Sequence, residues 1–379
     1  MKEEGISEKE VMRLLEVYKR NDLSYSTGKI LSSMCTAPRD LSREVYELFS
    51  ETNLGDPGLF EGTRNLEKEA VKMIGSLLGN NSAEGFILSG GTEANIAAIW
   101  TARNKMKKKR PEVILPESAH FSLEKAADLL GVKLIMVPLV KDFSMDVSMA
   151  IEKINENTIA LVGIAGSTEY GAIDDIQGLS EVAVEHHLPL HVDAAFGGFV
   201  IPFLRELGYE TRDFDFSIDG VASITVDPHK MGLAPIPCGG LLVRHGSIFE
   251  FIGTSAPYLT REKHFTISGT RSGASAAVVY ALLKHLGRVG YRENVRRCME
   301  VTMHLYEGLR DLGIEVLKPW MNILVFKDDG LRRKLSKKGW VLSRTRRGEA
   351  RLIIMPHVTM EVAQAFLRDV GKALSREGG

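Results

Sequence analysis

The chain has 379 residues, 44% of them hydrophobic, enough for two domains around a large buried core, which excludes a disordered or fibrous protein. Lys and Arg total 48 against 49 Asp and Glu, a net charge of -1, so no basic field exists to hold a phosphate backbone and nucleic-acid binding is not expected as a main role. Three separated cysteines, Cys35, Cys238 and Cys298, form no CxxC pair and leave one over from any disulfide, which points to a reducing, intracellular setting.

Met1 opens onto charged residues rather than an apolar stretch, and the longest apolar run, 158–167, holds two glycines and is shorter than the roughly 18 residues a spanning helix needs. A soluble cytoplasmic protein with no membrane partner is expected. Ser7 to Glu10 form a capping box, and Val11, Leu14, Leu15 and Tyr18 follow at helical spacing, so a first helix starts near Ser7 in an N-terminal arm. Residues 51–62 are turn-rich, with Gly55, Pro57, Gly58 and Gly62, and read as a functional loop or a linker. From Arg64, Leu66, Ala70, Met73, Ile74, Leu77 and Leu78 give one helix face to a core.

An alternation follows. Strands are predicted over 85–89, 112–116, 132–138, 159–165, 188–193 and 222–227, with helices over 92–107, 121–130 and 179–187 between them. Short apolar strands alternating with helices mean βαβ units and a mostly parallel sheet, an α/β fold. After Ser272 the pattern changes to long helices over 273–286 and 291–312, strands near 314–316, 322–326, 340–344 and 351–355, and a helix over 359–374. The division expected is an N-terminal helical arm and loop (1–62), a large domain (63–288) and a small C-terminal α+β domain (289–379). The basic run 105–110 reads as a solvated helix end.

Three segments hold residue types that suggest chemistry. Ser89-Gly-Gly-Thr-Glu-Ala-Asn95 joins a strand to a helix, where glycines and free N–H groups suit a phosphate, although a tight βα connection would use the same residues. It is neither a Walker loop nor GxGxxG. His191-Val-Asp-Ala-Ala195 puts Asp193 at the carboxyl end of a buried strand, either as the partner of a cation or as a helix cap. Asp227-Pro-His-Lys230 presents Lys230 at the same sheet edge, as a Schiff-base nucleophile or as a surface lysine after a turn. His186, His187 and His191 share no helical face, so no metal is expected. Together, an anion cradle, a strand-end Asp and a strand-end Lys are the parts that pyridoxal 5'-phosphate requires.

With PESAHFS (116–122), GSTEYGAIDDI (166–176) and DPHKMGLAPIPCGG (227–240) added, the sequence resembles fold-type I pyridoxal-phosphate enzymes of the group II amino-acid decarboxylase branch. It is most similar to the archaeal L-tyrosine/L-aspartate decarboxylase family, from about Asn53 to Thr359. The resemblance implies a cofactor-bearing large domain, a homodimer with active sites at its interface, and decarboxylation of L-aspartate to β-alanine, for coenzyme A, or of L-tyrosine to tyramine, for methanofuran. It also implies roles by position. Gly91, Thr92 and His229 hold the phosphate, and Lys230 carries the cofactor. His120 stacks on the ring, where it is also a catalytic candidate for proton transfer, with Ala195 on the other face, Asp193 partners the ring nitrogen, and Thr168 lines the cofactor. Gly269 and Thr270 reach a neighbouring subunit's phosphate, Arg351 takes a substrate carboxylate, and Tyr258 is the candidate acid that protonates Cα.

Arg271, His264 and Lys263 are candidate cations for a second substrate carboxylate. Cys238 reads as a small packed residue. Two alternatives use the same motifs: a carbon–carbon lyase of the sphingosine-phosphate type, and a non-catalytic module that binds the cofactor.

Overall fold

Apolar runs in the first two-thirds of the chain become strands because both their faces are covered, and the amphipathic runs between them supply the covering helices. The structure, a computed structural model, describes residues 3–261 and 263–375; Met1 and Lys2 of the charged N-terminus and Glu262 of the 256–264 stretch lie outside them. Helix α1 (Glu8–Lys19) begins at Ser7, whose hydroxyl accepts from the Glu10 amide at 3.3 Å, and buries none of its residues. Helices α2 (Asp40–Leu48) and α3 (Glu61–Leu77) follow. The alternation then runs β1 (Glu84–Leu88), α4 (Gly91–Met106), β2 (Glu112–Pro116), α5 (Phe121–Leu130), β3 (Lys133–Val137), α6 (Val147–Glu152), β4 (Thr158–Ile164), α7 (Ile176–Glu185), β5 (Leu190–Asp193), α8 (Ile201–Glu206), β6 (Val221–Val226) and β7 (Gly239–Val243).

The seven strands form one sheet in the order β1-β7-β6-β5-β4-β2-β3. Only β7 runs antiparallel to its neighbours β1 and β6. β2, β4 and β5 are buried at every residue, as expected for a sheet with helices on both faces. β7 has no counterpart in the sequence reading. Its Gly239-Gly240 start looks like loop, and one of its two pairing partners, β1, lies far away in sequence. Gly239 is needed there: a Cβ on it would lie 2.3 Å from the Gly90 Cα. β1 ends beside that contact, so the close packing of β7 fixes where the 89–91 turn sits.

A two-stranded ribbon, β8 (Thr254–Ser255) and β9 (Lys263–His264), closes the 256–264 loop. Helix α9 (Gly273–Asp311) breaks at Gly287, whose backbone (φ 54°, ψ -172°) is not helical, in agreement with two predicted helices. The chain ends with β10 (Ile323–Phe326), α10 (Leu331–Ser336), β11 (Ser343–Arg344), β12 (Ala350–Ile353) and α11 (Met360–Leu374), the strands forming an antiparallel sheet in the order β10-β12-β11. The strand predicted over 314–316 is reduced to one bridge, Val316 to Phe326. The one predicted over 340–344 is shortened because Val341 bonds instead to Lys29 and Leu31. Leu31 packs with Leu305, Phe326, Trp340, Leu352 and Phe366 in a second core, so the segment after α1 is joined to the C-terminal elements.

Candidate active site

Five connections leave the carboxyl ends of β1, β2, β4, β5 and β6, and their first residues converge on one cavity of about 330 Å³. It is lined by Ser89 to Thr92 after β1, Ser118 and His120 after β2, Gly166 and Thr168 after β4, Asp193 and Ala195 at the end of β5, and Asp227, His229 and Lys230 after β6. Eight of the residues predicted from sequence therefore share one site: Gly91, Thr92, His120, Thr168, Asp193, Ala195, His229 and Lys230.

At one end, Gly91 and Thr92 open α4, whose first N–H groups have no partner within the helix and carry the positive end of its dipole. Glu93 accepts from the Ser89 amide (2.9 Å) and hydroxyl (2.7 Å) and from the Ser268 hydroxyl (3.0 Å). Burial alone would raise its carboxyl, but these donors hold it below the usual range. The same contact draws the 268–270 segment to the rim of the turn.

Opposite, Asp193 is 5% exposed, accepting from the Ala195 amide (3.0 Å) and the Asn95 side-chain amide (2.8 Å). Lys230 Nζ lies 3.1 Å from Asp227 Oδ2, with both side chains largely buried. The other Asp227 oxygen, Oδ1, is buried with no partner among the described residues. His229 donates from Nδ1 to the Cys238 carbonyl. Burial, opposed by the Asp227 charge, depresses its pKa. His120 caps α5 by accepting from the Ser122 amide (3.3 Å) while also lining the cavity. Burial pushes its pKa down against the pull of Asp193.

Other predicted residues stand outside the cavity. Arg351 reaches its edge from β12, donating to the Thr168 carbonyl and, from Nε, to Ser343 Oγ at 2.8 Å. Tyr258 is 86% exposed, and Gly269 and Thr270 are exposed; none lines the cavity of its own chain. Arg271 is not a free cation: its guanidinium is 7% exposed and paired with Glu67 at 2.5 Å. Lys263 is paired with Glu250. Cys238 is buried, which pushes its thiol up. Among the described residues, no group of three or more His, Cys, Asp or Glu side chains is arranged to hold a metal ion. Sequence reasoning assigned no role to Asn95, Asp227, Glu93, Ser118 or His191. Asn95 and Asp227 were visible as the last residue of SGGTEAN and as the carboxylate three before Lys230, but their partners are set by tertiary packing.

Residues 62–327 match the pyridoxal-dependent decarboxylase conserved domain. The chain belongs to that family. Over 379 residues, 98% of each chain, it is 50% identical to a protein of Pyrococcus abyssi (strain GE5 / Orsay) named probable L-aspartate decarboxylase. It is 48% identical to a probable L-tyrosine/L-aspartate decarboxylase of Methanothermobacter thermautotrophicus, covering 94% of this chain and all of that one. Among solved structures, the sphingosine-1-phosphate lyase of Burkholderia pseudomallei K96243 is similar, with TM-score 0.91, 28% identity, and 99% and 92% of the two chains covered.

As a pyridoxal-dependent decarboxylase of the fold-type I architecture, the chain uses pyridoxal phosphate, and the cavity fits that group. A helix N-terminus suits its phosphate, a buried carboxylate suits its ring nitrogen, and a lysine amine suits its aldehyde. The unpartnered Asp227 oxygen leaves an acceptor for a ligand or a water to satisfy.

Proposed function

We propose that this decarboxylase converts L-aspartate to β-alanine, supplying coenzyme A synthesis, and also accepts L-tyrosine, releasing tyramine for methanofuran. The observation that carries the reading is the convergence of the α4 N-terminus, Asp193 and Lys230 on one small cavity with Arg351 at its edge. The names of the relatives support the two substrates, and a cavity that must hold cofactor and substrate together favours the compact side chain of aspartate. We further propose a cytoplasmic homodimer. No helix among the described residues is long and apolar enough to cross a membrane, and the exposure of Gly269 and Thr270 beside Ser268, which is held to the rim through Glu93, supports the interface reading.

When bound, pyridoxal phosphate supplies an electrophilic aldehyde and an electron-accepting ring. Gly91, Thr92 and His229 hold its phosphate, with Gly269 and Thr270 contributing from a neighbouring subunit. Lys230 would offer its amine to the aldehyde, and Asp227, 3.1 Å from Nζ, positions that amine. Asp193, a buried carboxylate, would favour the protonated ring nitrogen because an opposite charge in a buried site stabilises the cation. His120 and Ala195 enclose the ring, and Thr168 lines it. Arg351 fixes a substrate carboxylate, its planar fork setting the angle of the bond to be broken. The bond between Cα and the carboxylate breaks, carbon dioxide leaves, and a proton takes its place, which we assign to Tyr258 on the 256–264 loop.

The test is carbon dioxide release by purified protein with added pyridoxal phosphate across the twenty amino acids. Release from aspartate or tyrosine, with β-alanine or tyramine as product, is expected. No release from any of them overturns the reading. The likeness to a sphingosine-1-phosphate lyase gives the second reading, which cleavage of a phosphorylated amino alcohol without carbon dioxide would establish.

A further inference from the structure

We propose that Asn95 is the positioning residue for Asp193, and that His191 sets the orientation of the Asn95 amide. The inference rests on the cofactor assignment above. Asn95 lies in the second turn of α4, on the side of Gly91 and Thr92, since residues three and four apart share a helix face. One helix thus reaches both ends of the cavity: its N-terminus at the anion end, and Asn95 at the carboxylate end.

Every polar atom of the Asn95 side chain is engaged and the residue is 1% exposed. Its Nδ2 donates one hydrogen to Asp193 Oδ2 (2.8 Å) and the other to Ser122 Oγ (2.9 Å). Its Oδ1 accepts from Thr225 Oγ1 (2.7 Å) and faces His191 Nε2 (3.0 Å), while His191 Nδ1 meets Ser223 Oγ (2.8 Å). An amide has two donors on one side and an acceptor on the other, so turning it over would aim Oδ1 at an anion. Because Oδ1 can only accept, His191 carries a proton on Nε2 and donates it to Oδ1; in the neutral ring Nδ1 then accepts from the Ser223 hydroxyl. His191 is 3% exposed and lowered to about 4, mainly by burial, which agrees with the neutral ring.

Asp193 itself touches the cavity; Asn95 and His191 act through it. With the Ala195 amide on Oδ1 and the Asn95 amide on Oδ2, the carboxylate is held by two donors from different elements. Its aim is then fixed before any ligand enters. The chemistry recognised is a heteroaromatic cation, the protonated ring nitrogen of the cofactor.

Asn95→Asp replaces the donor by a second carboxylate at hydrogen-bond distance from Asp193, and one proton must then be shared between them. Pyridoxal phosphate affinity of the refilled apoprotein should fall about tenfold or more, the loss typical when a ligand's outer hydrogen-bond partner is removed from a metal site. The visible absorbance of the bound cofactor should change, and kcat should fall with KM for the amino acid held within about twofold. His191→Gln keeps an N–H near the Nε2 position and should restore most of the affinity that His191→Leu loses. A folded Asn95→Asp protein with wild-type affinity and absorbance overturns the proposal. Should that variant not fold, ¹⁵N spectra of labelled histidine in the wild-type protein decide: a neutral Nε2–H ring at His191 supports it, and a charged ring or the Nδ1–H form overturns it. Wild-type protein that takes up no cofactor while showing the Nε2–H ring would overturn the cofactor reading of the site and leave the network itself intact.

Discussion

Replacing Arg271 by alanine should unfold the protein more easily and should not act first on substrate binding. Its guanidinium bonds to Glu67 Oε1 at 2.5 Å and Oε2 at 3.3 Å, with the two side chains 7% and 6% exposed. It also donates to the carbonyls of Ile87 (2.8 Å) and Leu54 (3.3 Å), tying the 51–62 loop to β1. Removing it leaves a buried carboxylate without its cation and two carbonyls without donors. Breaking a buried pair from one side costs about 3–5 kcal/mol. The loss should appear as a lower denaturant midpoint with an unchanged slope. Removing both charges, with Arg271→Met and Glu67→Leu, should recover most of it, because the larger part of the penalty is the stranded charge. Arg271→Ala with a wild-type midpoint and a raised KM for aspartate would refute this reasoning and return Arg271 to the role of a substrate cation.

Arg351→Ala should lower kcat/KM about ten- to hundredfold, the worth of a hydrogen-bonded charge, and Arg351→Lys should restore only part because an ammonium lacks the planar fork; steady-state kinetics on aspartate checks both. Gly239→Ala should weaken cofactor retention, since its Cβ would meet Gly90 backbone at 2.3 and 2.4 Å, and reconstitution of the apoprotein measures this. Acid should weaken the wild-type protein through His191. Its pKa falls from about 6.5 unfolded to about 4 folded, so the unfolded chain binds the extra proton between those values and stability drops as pH falls through them. The drop is about 3 kcal/mol at ~1.36 kcal/mol per pH unit, and the pH dependence of the denaturant midpoint should be flatter in His191→Gln; equal slopes would contradict it.

The parallel part of the sheet was legible because its strands are largely runs of apolar residues, several of them followed by a helix with a side-chain cap, as at Asp175 for α7 and His120 for α5. Lys230 and Asp193 were legible because strand ends in such a sheet face one edge. β7 was not, since an antiparallel insertion between β1 and β6 is a matter of pairing across distant segments rather than of local pattern. The sequestration of Arg271 was hidden for the same reason: its partner Glu67 lies on α3, far away in the chain. The same holds for Asn95, whose four partners come from α5, β5 and β6. Tyr258 illustrates a different limit, because on the single chain its side chain is exposed and outside the cavity.

The central claim is that Lys230 carries the cofactor in a decarboxylase site. Borohydride reduction of the pyridoxal-phosphate-loaded protein, followed by digestion and mass spectrometry, tests it most directly. The account predicts one modified peptide, the one containing Lys230, and none in Lys230→Ala together with loss of carbon dioxide release from aspartate. A cofactor adduct on another lysine, or undiminished release by Lys230→Ala, would contradict it.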